Sequence, residues 1–430
     1  MATLAGNTIA STYPLLLKID SSGIDGTLRA VQDGDATDSA LSIATDSVLV
    51  KGSGIRLYFH DADGGEHIAG DGTDLTISSG NDIVLAMGSG GDVYTVGADG
   101  NTGNTIFGKS AFNTSTNNGS DYNTFFGDNA AGNGSVAGAS YNTGIGQLAL
   151  GALTDGSHNV AIGRVAGDAL TTGDSNVIIG SGAGSATVDV DKAVIIGADS
   201  AEANMTSGAD GTIAIGYQAG AAITSGAQNT AIGWTSMLQH TTGSYNTCLG
   251  YGTMKDTGEG NTSANSVSNV FIGVGTGGGD WANAASNYNI GIGNNVMDAV
   301  MNGALNNVGV GHNSLTALTS GDDNVAIGFE AGDGITNEEG LTLIGTSAGG
   351  GASLTDGANG LVAIGYNAGA AITTSAGTTL IGYAAGDAIT SGDANIAIGR
   401  HALGSMTTGH SNIAIGLEAM SATGGATVLN

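Results

Sequence analysis

From Gly108 to Gly416 the chain repeats a short cadence in which polar, small and aliphatic positions return in a fixed order. In "NVAIG", which begins at Asn159, Val160 and Ile162 flank Ala161. The same alternation returns in Val325, Ala326 and Ile327 and again in Ile413, Ala414 and Ile415. Side chains two residues apart share one face of an extended chain, so each unit predicts a short strand with β-branched residues on one face and a small apolar residue on the other. Strands that are apolar on both faces are covered on both. One face is therefore expected to fill the interior of a coil and the other to meet a neighbouring chain. A second, weaker strand is expected around "VAGDAL", before a polar turn such as "TTGDSN" reverses the chain through positive φ. Helix is the competing reading of "AGDAL"; a glycine in nearly every unit, at about 1 kcal/mol relative to alanine, weighs against it.

Each unit is anchored by an aliphatic or aromatic residue followed by glycine, as at Gly163, Gly180, Gly233, Gly328, Gly399 and Gly416. Most intervals equal that from Gly163 to Gly180. The longest, from Gly250 to Gly273, carries "DTGEGNTSANSV", which reads as an excursion loop. Four residues before most anchors stands asparagine, including Asn159, Asn176, Asn229, Asn324, Asn395 and Asn412. Two structural readings apply to this column: asparagine as a turn residue that tolerates left-handed φ, and a ladder of stacked amides bonded along an axis. Ala, Ser or Thr follows nearly every anchor by three residues, with Val296 the exception.

A period this short and regular points to a repeat fold, which grows in one dimension without enlarging its core. The expected class is all-β, a parallel β-solenoid (β-roll or β-helix) fibre. Three parts are expected: an N-terminal β-rich attachment or shaft module over 1–100, the solenoid over 101–420 and a tail over 421–430. With one coil per anchor and about one strand spacing per coil, the repeats predict a rod of about 80–90 Å. The first hundred residues lack the anchor but contain alternating runs such as "TLRAV", "ALSIA" and "SVLV" between Asp-Gly and Gly-Ser turns.

Composition narrows the class further. Of 430 residues 78 are Gly and 1 is Pro, which excludes collagen because no Gly-X-Y period accompanies the glycine. The regular placement of hydrophobic residues, 40% of the chain, argues against disorder. A formal net charge of −29 repels nucleic acid and anionic lipid, so neither is an expected partner. The single cysteine, Cys248, stands where other units carry alanine and reads as a small buried residue. "TYPLLLKID" is too short for a signal peptide or a membrane span, which sets the expectation of synthesis in the cytoplasm and release as part of an assembly.

The units "NVAIGRVAGDALTTGDSN" and "GYQAGAAITSGAQNTAIG" resemble two related groups of proteins. One is the β-roll heads of trimeric autotransporter adhesins; the other, closer to the second unit, is the tail and surface fibres of marine bacteriophages. The resemblance implies a homotrimeric structural fibre on a virion surface. Its N-terminal module would join other virion proteins, and its rod would contact a host-surface glycan or protein without inserting into a membrane. A cellular trimeric adhesin or extracellular filament subunit, and a polysaccharide-cleaving tailspike, are the alternatives. An autotransporter adhesin would begin with a signal peptide and end in a stalk and membrane barrel, and neither is visible here.

No grouping of residues calls for an enzyme, a cofactor or a bound metal. "FHDADGGEH", with His60, Asp61, Asp63, Glu66 and His67, has the right atoms for a transition metal but the spacing of an acidic hairpin turn. The adjacent carboxylates of "GDDN" and "NEEG" are expected to point to opposite faces, and the histidines are scattered through the repeat loops. Tyr217, Tyr251, Tyr366 and Tyr383 each follow an anchor glycine and are expected to line one side of the rod, as a structural stripe or a glycan-facing one; Trp234 and Trp281 are further candidates for sugar stacking.

Overall fold

The computed structural model describes residues 103–112, 119–133, 136–257, 262–350, 354 and 357–421, with the backbone of four short strands nearer the N-terminus. The chain divides into two compact units, Met1–Ala86 and Met87–Asn430. In the first, β1 (Lys18–Ile19), β2 (Arg29–Gln32), β3 (Asp38–Ile43) and β4 (Val48–Val50) form an antiparallel meander in sequence order, with an irregularity between Ala30 and Gln32. The metal-like cluster from His60 to His67 lies outside the described residues.

The second unit is a parallel solenoid. Its strands run from β5 (Thr105–Phe107) to β22 (Ile413–Ile415), three residues each and one to a coil, and each pairs in register with the next. Val160, Ala161 and Ile162 thus stand beside Val177, Ile178 and Ile179 of the following coil. The sheet is all-β in character: among the described residues the only helical turns are two 3-10 segments, Ser207–Ala209 and Thr262–Asn265. The coil repeats every 17 residues where no insertion intervenes.

The interior takes the small middle residue of each strand. Ala161, Ala231, Ala326 and Ala397 are fully buried, as is Cys248 in the same column. Burial pushes the Cys248 thiol well above its ordinary pKa, in keeping with an inert core residue. A second inward column lies seven residues after the anchor, at Leu153, Leu170, Ile223, Leu318, Ile335, Ile372 and Ile389, all buried. These supply the largest repeated aliphatic side chains of the core, and they belong to the turn segment rather than the strand.

The expected second strand does not form. From Arg164 to Ala169 the chain runs through turns, because Val165 (φ 53) and Gly167 (φ 57) both take left-handed backbone. Alternating left-handed residues curl the chain while its amides still bond along the axis. Val165 N–H donates back to the Gln147 carbonyl at 2.8 Å, and Gly167 N–H donates forward to the Ala183 carbonyl at 3.0 Å. Backbone hydrogen bonding therefore continues without extended geometry.

The anchor glycine has a steric cause. Gly163 sits at φ +139, and a Cβ there would collide with the carbonyl oxygen of Gly180 in the next coil. Gly180, Gly233, Gly328 and Gly399 repeat the same close approach; Gly416, in the last described coil, has the same kind of φ but no neighbour above it. The backbone stacks so closely at this corner that only glycine fits.

Asparagine forms the ladder rather than the turn. Asn159 Oδ1 accepts the Asn176 N–H at 3.0 Å and the Asn176 Nδ2 at 2.9 Å, while Asn159 Nδ2 donates to the Gly173 carbonyl at 2.8 Å. Asn229, Asn324, Asn395 and Asn412 are buried in the same column. The left-handed residue is instead the one before it, such as His158 (φ 60) or Ser175 (φ 61). A further ladder stands two residues before the asparagine: the Asp174 carboxylate accepts the Ser157 N–H at 2.6 Å, and Asp191 accepts the Asp174 N–H at 2.7 Å. Ser140, Ser244, Asn287 and Asn359 serve the same position, so it is the acceptor that repeats and not the residue type.

Candidate functional site on the outward face

The alternation that sends Asn159 and Ala161 inward sends His158, Val160, Ile162 and Arg164 outward, so each coil presents four outward columns. The two central columns are β-branched or aliphatic in nearly every coil. Ile145, Ile162, Leu249, Ile292, Ile327, Ile381 and Ile398 are 36–44% exposed, stacked one above another without a cover in the single chain. A row of half-exposed aliphatic side chains recurring coil after coil is unlike the scattered single apolar residues of ordinary monomer surfaces.

The two outer columns change character along the solenoid. The column directly after the anchor begins with Lys109, Asp128, Gln147, Arg164, Ser181 and Ala198, then turns aromatic at Tyr217, Trp234 and Tyr251. It continues through Val274, Asn294, His312, Phe329 and Thr346 to Tyr366, Tyr383 and Arg400. The expected tyrosine stripe is therefore real but interrupted, and Trp234 belongs to it. Trp281 does not: it is buried, packs edge-on against Phe271 at 6.0 Å and donates its indole N–H to the Gly277 carbonyl at 3.0 Å. Its backbone N–H bonds to the Asp256 carbonyl at the base of the excursion loop, which folds the indole into the core and removes it from sugar contact.

The two aromatic groups differ in what they present. Tyr366 and Tyr383 stack nearly parallel, 5.1 Å apart with an interplanar angle of 13°, and Arg400 lies 5.8 Å over Tyr383. Tyr383 is thus covered on its ring by Tyr366 and by the guanidinium, and Tyr366 has one face on Tyr383. Trp234 is tilted by 64° to Tyr217 and by 56° to Tyr251, at 5.3 and 6.5 Å, and is 59% exposed. At the opposite outer column Tyr122, Tyr141 and His158 form a parallel stack that the repeat pattern alone did not single out.

The remaining polar candidates separate. Asp322 accepts the Leu305 N–H and Asp323 accepts from Asn306 Nδ2, so the two carboxylates of "GDDN" serve different columns of the coil. Glu338 is buried and folds back onto the N–H groups of Thr336 and Asn337, whereas the Glu339 N–H bonds to Asn359. His158, His240, His312, His401 and His410 each occupy a different column of the coil. His240 alone is fully buried; its Nε2 lies 3.0 Å from the Gly243 carbonyl, and burial lowers its pKa to about 4. Among the described residues no three His, Cys, Asp or Glu side chains converge.

No protein-family model matches the chain, and no curated protein and no solved structure does either. The residues and their geometry are left as the guide to function.

Proposed function

We propose that this chain is a structural fibre subunit of a bacteriophage virion, a tail or surface fibre that holds a host-contacting surface away from the particle. One observation carries the reading: eighteen strands stack in a single register and leave an apolar outward face along the whole solenoid. Stacked coils bonded along the axis resist bending, and repeated surfaces give multivalent contact with a repeated target. Three copies packed about a common axis cover the central columns, because only a neighbour with the same coil spacing matches side chains that recur once per strand over about 80 Å. The virion assignment rests on the resemblance of the repeat units to phage fibres. The N-terminal meander is the natural joint to other virion proteins.

An antibody raised against residues 136–257 and applied to purified virions of the source tests the virion assignment. Gold label on projecting filaments supports it, and bare particles beside label on cell surfaces would move the chain to the cellular-adhesin alternative. Release of reducing sugar from host capsule by the purified chain would move it to the tailspike alternative.

A further inference from the structure

We infer that Tyr217, Trp234 and Tyr251 form a binding platform for a neutral polysaccharide, an inference that rests on the host-contacting reading and names the chemistry of the contact. The first support is the exposed indole. Sugars bind proteins by laying C–H faces on aromatic faces, and Trp234 is 59% exposed and meets both neighbours at a tilt, whereas Tyr366 and Tyr383 stack face to face. The second is spacing. The three rings come from successive coils, 5.3 and 6.5 Å apart, so the platform repeats once per coil along a straight line. A linear polymer of pyranose rings repeats on a similar scale, and no short peptide side-chain pattern does so without adopting a strand.

The third support is polarity at the tips. Trp234 Nε1 and the hydroxyls of Tyr217 and Tyr251 belong to exposed side chains and can bond to sugar hydroxyls, while the only other tryptophan is buried. The fourth is charge. A chain of net charge −29 disfavours a uronate or sulfated polymer, which leaves neutral sugars as the matching class. Ala198, the residue of this column one coil before Tyr217, and Val274, one coil after Tyr251, set the length at three rings.

The test uses the full chain and the emission of its two tryptophans. Iodide quenches the exposed Trp234 and spares the buried Trp281, so a ligand on the platform shows as protection from quenching. The probes are cellohexaose, laminarihexaose and mannohexaose as neutral oligomers, with alginate as the anionic control. The expected result is saturable protection by at least one neutral oligomer, none by alginate, and at least a ten-fold weaker affinity by calorimetry in Tyr217→Ala and in Trp234→Ala. Tyr366→Ala and Tyr383→Ala should bind as the parent does. Absence of protection by all three neutral oligomers, or equal protection by alginate, would overturn the platform. So would a change of particle mass in Trp234→Ala, which would assign the rings to an interface between copies. None of these outcomes bears on virion labelling, so the platform and the fibre can fail separately.

Discussion

Two stretches of the solenoid solve the same packing problem with different chemistry. From Asn269 to Asn324 the buried column is all asparagine, and each Oδ1 accepts the next coil's N–H at 2.9 to 3.1 Å. From Leu341 to Thr378 the same column holds Leu341, Leu361 and Thr378, all buried. Leu341 still donates its N–H to Asn324 Oδ1, and Thr378 still offers a hydroxyl to the Asn395 N–H, but at 3.3 Å. Strand pairing runs through both stretches unchanged. The amide ladder is therefore one way to fill and bond the column, and paired leucines are another. The anchor glycine, kept at Gly293 and Gly311 in the first stretch and at Gly345 and Gly365 in the second, is the feature that neither replaces.

The sharpest way to break that comparison is at the anchor. Gly328→Val places a branched Cβ against the Gly345 carbonyl at φ +144, so a loss of more than about 3 kcal/mol is expected, with cleavage by protease at the new defect. Gly416→Ala, also at positive φ (+123) but with nothing within 4 Å of the added Cβ, should cost about 1–2 kcal/mol. Denaturant titrations of both variants read the difference, and equal losses would show that backbone strain rather than stacking selects the glycine.

Next in size is acid sensitivity within the asparagine-rich coils. His240 stands in the column that elsewhere holds Ile223 or Leu318, and it must remain neutral to stay buried. Its folded pKa of about 4 lies below the unfolded value of about 6.5, so its stability contribution is full above pH 6.5. As the pH falls from 6.5 toward 4 the unfolded chain takes up a proton that the fold excludes, and about 3 kcal/mol is lost. His240→Leu should flatten stability across that window, and an unchanged slope would contradict the burial argument.

The ladder itself should rank below these. Asn307→Leu removes the donor to the Gly321 carbonyl and the acceptor of the Asn324 N–H, for a loss of about 2 kcal/mol. Thr378→Asn should gain a few tenths to 1 kcal/mol by shortening the bond to Asn395. Smallest is a gain at the turn: Val165→Asn relieves a β-branched residue at φ 53, where Asn129, Asn295 and Asn313 stand in other coils, by about 1 kcal/mol or less. Thermal melts compared with the parent check all three.

Much of this was legible in the residues. Period-two alternation located the strands of the solenoid, and the aliphatic-glycine or aromatic-glycine pair marked each coil corner. The asparagine column had two readings, and only the geometry of Asn159 and Asn176 separates them. What stayed hidden has a common cause. Val165 and Gly167 alternate left-handed φ, a backbone with no sequence rule of its own, so the turn read as a weak strand and Leu170 went unrecognised as core. The outer ladder of Ser140, Asp174, Asn287 and Asn359 was equally obscure, since it conserves an acceptor position across different side chains. Trp281 looked like surface because its Gly-rich approach hides a turn that buries it.

The outward apolar face is the feature on which the fibre account depends, and the solution mass of the intact chain tests it most directly. Sedimentation velocity combined with light scattering should find an elongated particle of about three times the 41.7 kDa chain, with no monomer at micromolar concentration. A stable monomer that leaves those isoleucine columns in water would contradict the account.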